Sequence, residues 1–214
     1  MKHLFIVNPV AGRQKPEDKL RLIHEAIDRL PAEKRESEEF EVYVTAAPMD
    51  ACAYIKEAAK KAQELRIYAC GGDGTLNECV NGAAGLSNVA VTHFPCGTGN
   101  DFIKMFGPDK DRFFDLTELM NGEVRPIDVI DCNGRYSVNI CSMGLDARIG
   151  TDVHKYSGMP LMGGAAGYVV SLAANYFKGI TTAMTARTEG LTCGPELNLV
   201  CVCNGRFYGG GFNP

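Results

Sequence analysis

The feature that most limits how this chain can fold is an alternation in its first hundred residues. Short apolar runs follow one another with amphipathic segments between them, and each run ends in polar or glycine residues. His3–Val7 reads as a buried strand stopped by Asn8-Pro9. Residues 16–30 place Leu20, Ile23, Ile27 and Leu30 at helical spacings behind Pro16 and two acids, as a helix start prefers. The polar run 31–38 reads as a surface connection, 40–45 as a strand, 50–65 as an alanine-rich helix and 66–70 as a third strand. A third helix over 75–84 and a fourth strand over 89–95 complete the series. Strands separated by helices predict a parallel sheet with crossover connections. In such sheets ligands bind beyond the carboxyl ends of the strands.

The unusual residues fall at those ends: Asn8 to Gly12, Thr45, Gly71 to Asn77, and Gly97 to Asp101. The most distinctive stretch is GGDGTLN, from Gly71 to Asn77. Glycines at a strand-to-helix turn let the backbone approach a ligand closely, and the amides of a helix start offer a seat for phosphate. Thr75 is a candidate cap for that helix. Asp73 would repel phosphate directly, but it suits a place beside Mg²⁺ or near a hydroxyl that must lose a proton. A tight turn leading into a capped helix remains the plain structural reading. No GxxxxGK[ST], no kinase H-R-D with D-F-G and no complete G-x-G-x-x-G occurs, so three common nucleotide signatures are excluded.

From about residue 123 the texture changes. Two short strands flank Asn133-Gly134, a hairpin signal, and later strands surround a charge-free stretch at 158–177 that includes Gly163 and Gly167. That stretch reads first as a helix buried against a sheet, then as a lipid-touching surface, and last as a membrane span. The expected class is therefore α/β: a parallel-sheet domain over 1–122, then a mostly antiparallel domain over 123–214 that is incomplete at its C-terminus.

Composition sets outer bounds. The 214 residues are 45% hydrophobic and 22% charged, which is globular, and the net charge of −4 gives no reason to expect nucleic acid. Nine cysteines with no C-x-x-C and no leader-like start point to a reducing, cytoplasmic setting. Cys201 and Cys203 share one face of an expected strand, as metal ligands or as buried small hydrophobes.

Together the segments NPVAG, GGDGTLNECVNG, PCGTGNDF and NICSMGLDA resemble, in order, the diacylglycerol kinase catalytic-domain family, particularly its bacterial soluble lipid kinases. Sphingosine and ceramide kinases are relatives, and NAD kinases share the GGDGT element more distantly. The resemblance implies that 1–122 is a nucleotide-binding domain and 123–214 a β-sandwich domain, with ATP bound between them and its γ-phosphate transferred to a lipid hydroxyl with Mg²⁺. It implies nucleotide contacts at Asn8, Pro9, Gly12, Thr45, Gly71, Gly72, Asp73, Gly74, Thr75, Leu76, Asn77 and Thr98. In the bacterial branch the catalytic base and a structural Mg²⁺ site follow the GGG loop, beyond this chain. In the sphingosine branch the residue matching Asp73 is the base, which leaves Asp73 as the candidate here. The implied partners are ATP, a lipid and, transiently, a membrane surface. An incomplete nucleotide- or lipid-binding chain and an NAD kinase-like enzyme are the alternatives.

Lesser candidates each carry two readings. Asn100 and Asp101 cap the helix 101–106 or also hold the site. Asp146 caps a helix or meets a lipid head group. Arg13, Lys15 and Lys104 neutralise phosphate or are surface charges. His93 is a core histidine or a catalytic one, and the other histidines show no metal spacing.

Overall fold

A computed structural model of the protein describes residues 1–157, 164–209 and 213. The elements follow in the order β1 (Lys2–Val7), α1 (Pro16–Asp28), α2 (Ala32–Ser37), β2 (Glu39–Val44), α3 (Asp50–Lys61), β3 (Leu65–Gly71), α4 (Asp73–Ala83), β4 (Val89–Pro95) and α5 (Asp101–Lys104). A 3-10 helix (Gly107–Phe114) and α6 (Leu116–Asn121) come next, then β5 (Ile130–Cys132), β6 (Arg135–Ser137), β7 (Ile140–Gly144), α7 (Leu145–Ser157) and α8 (Gly164–Phe177). The last strands are β8 (Thr182–Ala183), β9 (Ala186–Thr188), β10 (Leu191–Cys193), β11 (Glu196–Leu197) and β12 (Leu199–Cys203).

The first four strands form a parallel sheet in the order β2-β1-β3-β4. Val7 pairs with both Val44 and Cys70, and Gly71 with Pro95, so the four carboxyl ends lie level along one edge. Both faces are covered, which is why these strands are continuous apolar runs. Leu4, Ile6, Ile67 and Ala69 meet Ile55 of α3 and Leu76 and Cys79 of α4 on one side. On the other, Phe5, Val7, Tyr68 and Cys70 meet Ile23 and Ala26 of α1 with Leu116 and Met120 of α6. Helix α6 and the 3-10 turn were not anticipated, although Asp115 three residues before Glu118 is a helix-start signal. Asp115 does cap α6, accepting from the Thr117 amide at 2.8 Å. The run 31–38, expected as a connection, contains α2.

The chain divides into two compact units, Met1–Asn139 with Asn204–Pro214, and Ile140–Cys203. The hairpin β5–β6, assigned from sequence to the second domain, belongs to the first unit. Asn81 of α4 explains this: its amide donates to the Tyr136 carbonyl at 2.8 Å and its carbonyl accepts from the Tyr136 amide at 2.9 Å. The hairpin turn has the expected form, with positive φ at both Asn133 and Gly134.

In the second unit the described strands form two-stranded antiparallel ladders: β7 with β12, β8 with β11, and β9 with β10. Helix α8 packs against α7 rather than on a sheet, because its polar residues find partners there. Buried Ser171 donates to the Ile149 carbonyl at 2.8 Å, and Asn175 donates to Asp152 at 3.1 Å. Leu172, Tyr176 and Phe177 are exposed on the same helix. Gly163 of the proposed GxxxG lies outside the described residues, among which no helix is long and apolar enough to cross a membrane.

Candidate functional site

The strand order reverses direction between β1 and β3, the switch point where open parallel sheets leave a crevice at their carboxyl ends. The loops that follow these two strands meet there. The side-chain amide of Asn8 donates to the Thr75 hydroxyl at 3.0 Å, across 67 positions of sequence. The Asn8 side-chain oxygen also accepts from the Val10 amide at 3.1 Å, which closes the first loop into a turn.

Two further contacts require glycine. Gly12 has a φ of +68°, and a Cβ there would overlap the Cys96 carbonyl. A Cβ on Gly97 would overlap the Gly72 backbone and come within 2.9 Å of the Asn100 side chain. The loops after β1, β3 and β4 therefore stack backbone against backbone. The Gly71 carbonyl joins them, accepting from the Cys96 amide at 2.8 Å, the Gly97 amide at 3.2 Å and His93 Nε2 at 3.0 Å.

Helix α4 starts at Asp73, two residues earlier than the sequence suggested, with Gly72, which has no side chain to offer, in the N-cap position and no side-chain cap among the described residues. Thr75 is not the cap. Its hydroxyl lies inside the helix and is held by Asn8 instead. An uncapped helix start with its partial positive charge at a switch point is suited to receive an anion.

Asp73 sits in the first turn of α4, where its Oδ1 accepts from the Phe102 amide at 3.2 Å and so caps α5 from a different loop. Asn100, expected to cap α5, is left-handed at φ 49° and clamps its own loop. It accepts from the Gly97 amide at 3.1 Å and donates to the Gly97 carbonyl at 2.9 Å. His93 is buried with its Nδ1 unpartnered among the described residues. Burial lowers its pKa, so the neutral ring donates from Nε2 to Gly71.

The other candidates separate. Thr45 ends β2, and its amide and hydroxyl both donate to the Val7 carbonyl, at 2.9 and 3.4 Å. Leu76 is 2% exposed and belongs to the core, while its amide makes the first helical bond to the Gly72 carbonyl. Pro9 and Asn77 are half-buried beside the two loops, and Thr98 is exposed at the tip of the third. Arg13 and Lys15 are exposed, and Lys104 is paired with Asp101 at 2.6 Å. In the second unit Asp146 accepts from the Ala147 amide at 2.8 Å at the start of α7 and from the Cys201 thiol at 3.2 Å. Burial and that carboxylate push the Cys201 pKa up to about 12. No group of three metal-ligating side chains occurs among the described residues.

Sequence reading missed one residue of this site. Lys19 of α1 is fully buried beneath the first loop, donating to the Asn8 and Ala11 carbonyls at 2.8 and 2.7 Å. Its helical position between Asp18 and Leu20 gave no signal, since lysines in a helix normally point to water.

A four-stranded parallel sheet with helices on both faces and a glycine-lined helix start at its switch point defines a protein of the α/β class. Comparison with known proteins narrows this. Residues 2–132 match the model of the diacylglycerol kinase catalytic domain, and the chain belongs to that family. It is 35% identical over 151 residues to the diacylglycerol kinase of Bacillus subtilis (strain 168), covering 70% of this chain and 48% of that one. A diacylglycerol kinase of Staphylococcus epidermidis is 31% identical over 141 residues, covering 65% of this chain and 42% of the relative. The crystal structure of a diacylglycerol kinase from Bacillus anthracis str. Sterne superposes with a TM-score of 0.64 at 27% identity, covering 98% of this chain and 66% of the other. The chain thus spans about half the length of the curated relatives it matches.

Proposed function

We propose that the chain is the nucleotide-binding part of an ATP- and Mg²⁺-dependent lipid kinase, which transfers the γ-phosphate of ATP to the hydroxyl of a lipid such as diacylglycerol. The observation that carries this reading is the uncapped start of α4 at the β1/β3 switch point, where Gly97 lies against Gly72 and Gly12 in turn lies against Cys96 and Gly97. Phosphoryl transfer needs positioning and charge neutralisation more than covalent chemistry from the protein. The amides of Asp73, Gly74 and Thr75 would hold phosphate oxygens, and Asn8 fixes the first loop against them.

Asp73 is the candidate to accept the proton of the acceptor hydroxyl. Mg²⁺ fits here only as an ion carried largely by the nucleotide, since a single carboxylate stands in the glycine loop and Mg²⁺ commonly binds through one or two carboxylates plus substrate phosphates. When bound, it would neutralise charge on the phosphates. Exposed Leu172, Tyr176 and Phe177 on α8 support a transient contact with the membrane that holds the lipid.

Incubating the protein with radiolabelled ATP, Mg²⁺ and vesicles containing diacylglycerol should give labelled phospholipid. Asp73→Asn keeps the oxygen that accepts from the Phe102 amide, so it should fold normally and lose about two to four orders of magnitude in rate. Activity within tenfold of wild type would remove Asp73 from the mechanism. Labelled NADP from a parallel incubation with NAD, with no labelled phospholipid from the vesicles, would move the assignment to the NAD kinase relatives. Because the chain spans half the length of its relatives, a second reading is a module that binds ATP·Mg²⁺ without turnover. Heat of ATP binding without product in calorimetry is its signature.

A further inference from the structure

Among the described residues Lys19 is the only buried lysine. Its ammonium carries three N–H donors and meets two carbonyls, those of Asn8 and Ala11. No carboxylate pairs with it among the described residues. The ionisable groups that face it are the thiols of Cys70 and Cys96, both held protonated by burial, Cys96 with its pKa pushed up to about 11. A buried cation without an anion is costly, and an apolar side chain of the same length would fill the space more cheaply. Packing therefore does not explain the charge.

Its position does. The two carbonyls it holds open and close the turn from Asn8 to Ala11, in which the Ala11 amide donates back to the Asn8 carbonyl at 3.4 Å. The side chain of Asn8 in turn holds Thr75 at the uncapped start of α4. The cation and the helix start thus bracket the same residue; no carboxylate pairs with the cation among the described residues, and Asp73, the acid in the first turn of α4, turns its Oδ1 to the Phe102 amide.

We propose that Lys19 is a positioning residue of the phosphate subsite: from beneath the first loop it fixes the loop's peptide groups and supplies the positive charge that a bound polyphosphate completes. This rests on the nucleotide-binding reading of the site and names the source of its positive charge. The consequence is a charge-dependent affinity that a merely structural lysine would not produce.

The test is calorimetry with adenosine, ATP and inorganic tripolyphosphate on wild type and Lys19→Met. The variant should lose at least tenfold in affinity for tripolyphosphate and ATP while adenosine affinity is unchanged. Equal tripolyphosphate affinity in the two proteins, or a parallel loss for adenosine, would overturn the proposal.

A second measurement needs no substitution. Burial lowers the Lys19 pKa, and a bound anion raises it again. At about pH 10, close to the ordinary lysine value and above the last ionisation of tripolyphosphate, binding to wild type should therefore draw protons from solution. Binding heats in buffers of different ionisation enthalpy measure this uptake, and none at all would sink the idea. Wild type that binds tripolyphosphate but not ATP would end the kinase reading and leave Lys19 in place. Wild type that binds neither would end both.

Discussion

A methyl group added at Gly12 or Gly97 would run into backbone, whereas one added at Gly74 meets nothing within 4 Å. The first two glycines are needed by the fold, because loops touch there. Gly74 is not, and as the second residue of α4 it forgoes up to about 1 kcal/mol of helix preference relative to alanine. Its openness suits close approach of a ligand to the helix start. Gly74→Ala should therefore raise the thermal midpoint slightly while weakening ATP binding at least tenfold. Gly12→Ala should lower the midpoint by several degrees. Titration calorimetry beside a melting curve separates the two, and a Gly74→Ala protein that binds ATP normally would show the open space to be idle.

At the scale of elements, single side chains decide which segments belong together. Asn81 projects from α4 to both backbone groups of Tyr136 and also donates to the Asn77 carbonyl at 2.8 Å, one turn back along its own helix. It ties the hairpin β5–β6 to the helix whose N-terminus forms the site. Asn81→Ala leaves those backbone groups half-buried and unpartnered, at a cost of about 2 kcal/mol. That corresponds to a fall of about 4–8 °C in thermal midpoint for a chain of this size. A midpoint unchanged within 1–2 °C, roughly a third of the expected shift, would mean that the hairpin is held by its apolar contacts alone. Val138, which follows the hairpin and is buried in the core against α3 and α4, is the other anchor.

For the whole molecule, two buried histidines make stability depend on pH. His3 lies on β1 between the Tyr68 hydroxyl at 2.7 Å and Glu38 at 2.9 Å, and His93 lies on β4 against Gly71. Burial lowers both pKa values, and at His3 it outweighs the opposing pull of Glu38. The unfolded chain, with ordinary histidines near pH 6.5, then binds more protons than the folded one below that value. Their contribution is fully present above about pH 6.5 and is lost as pH falls through the lowered folded values. Urea midpoints measured from pH 7.5 down to 5 should fall, and the fall should be shallower in a His3→Gln, His93→Gln double variant. An identical profile in that variant would place the acid sensitivity elsewhere.

What the sequence determined by itself was the sheet and its working edge. The period of the apolar runs, Pro16 at a helix start and Asn133-Gly134 at a turn are local signals, set by dihedral preference and side-chain spacing, and they survive translation into three dimensions with small shifts of boundary. The same alternation of strand and helix put Asn8, Thr45, Gly71 and Gly97 at strand ends. Tertiary structure decided which of those ends touch. Asn8 meets Thr75 because β1 lies beside β3, and Thr45 turns to Val7 because β2 is an edge strand. It also decided that Lys19 is buried and that Asn81, not a change of composition, holds the hairpin in the first unit. Those outcomes depend on partners 8 to 67 positions away, and a local window of residues does not encode which of them meet.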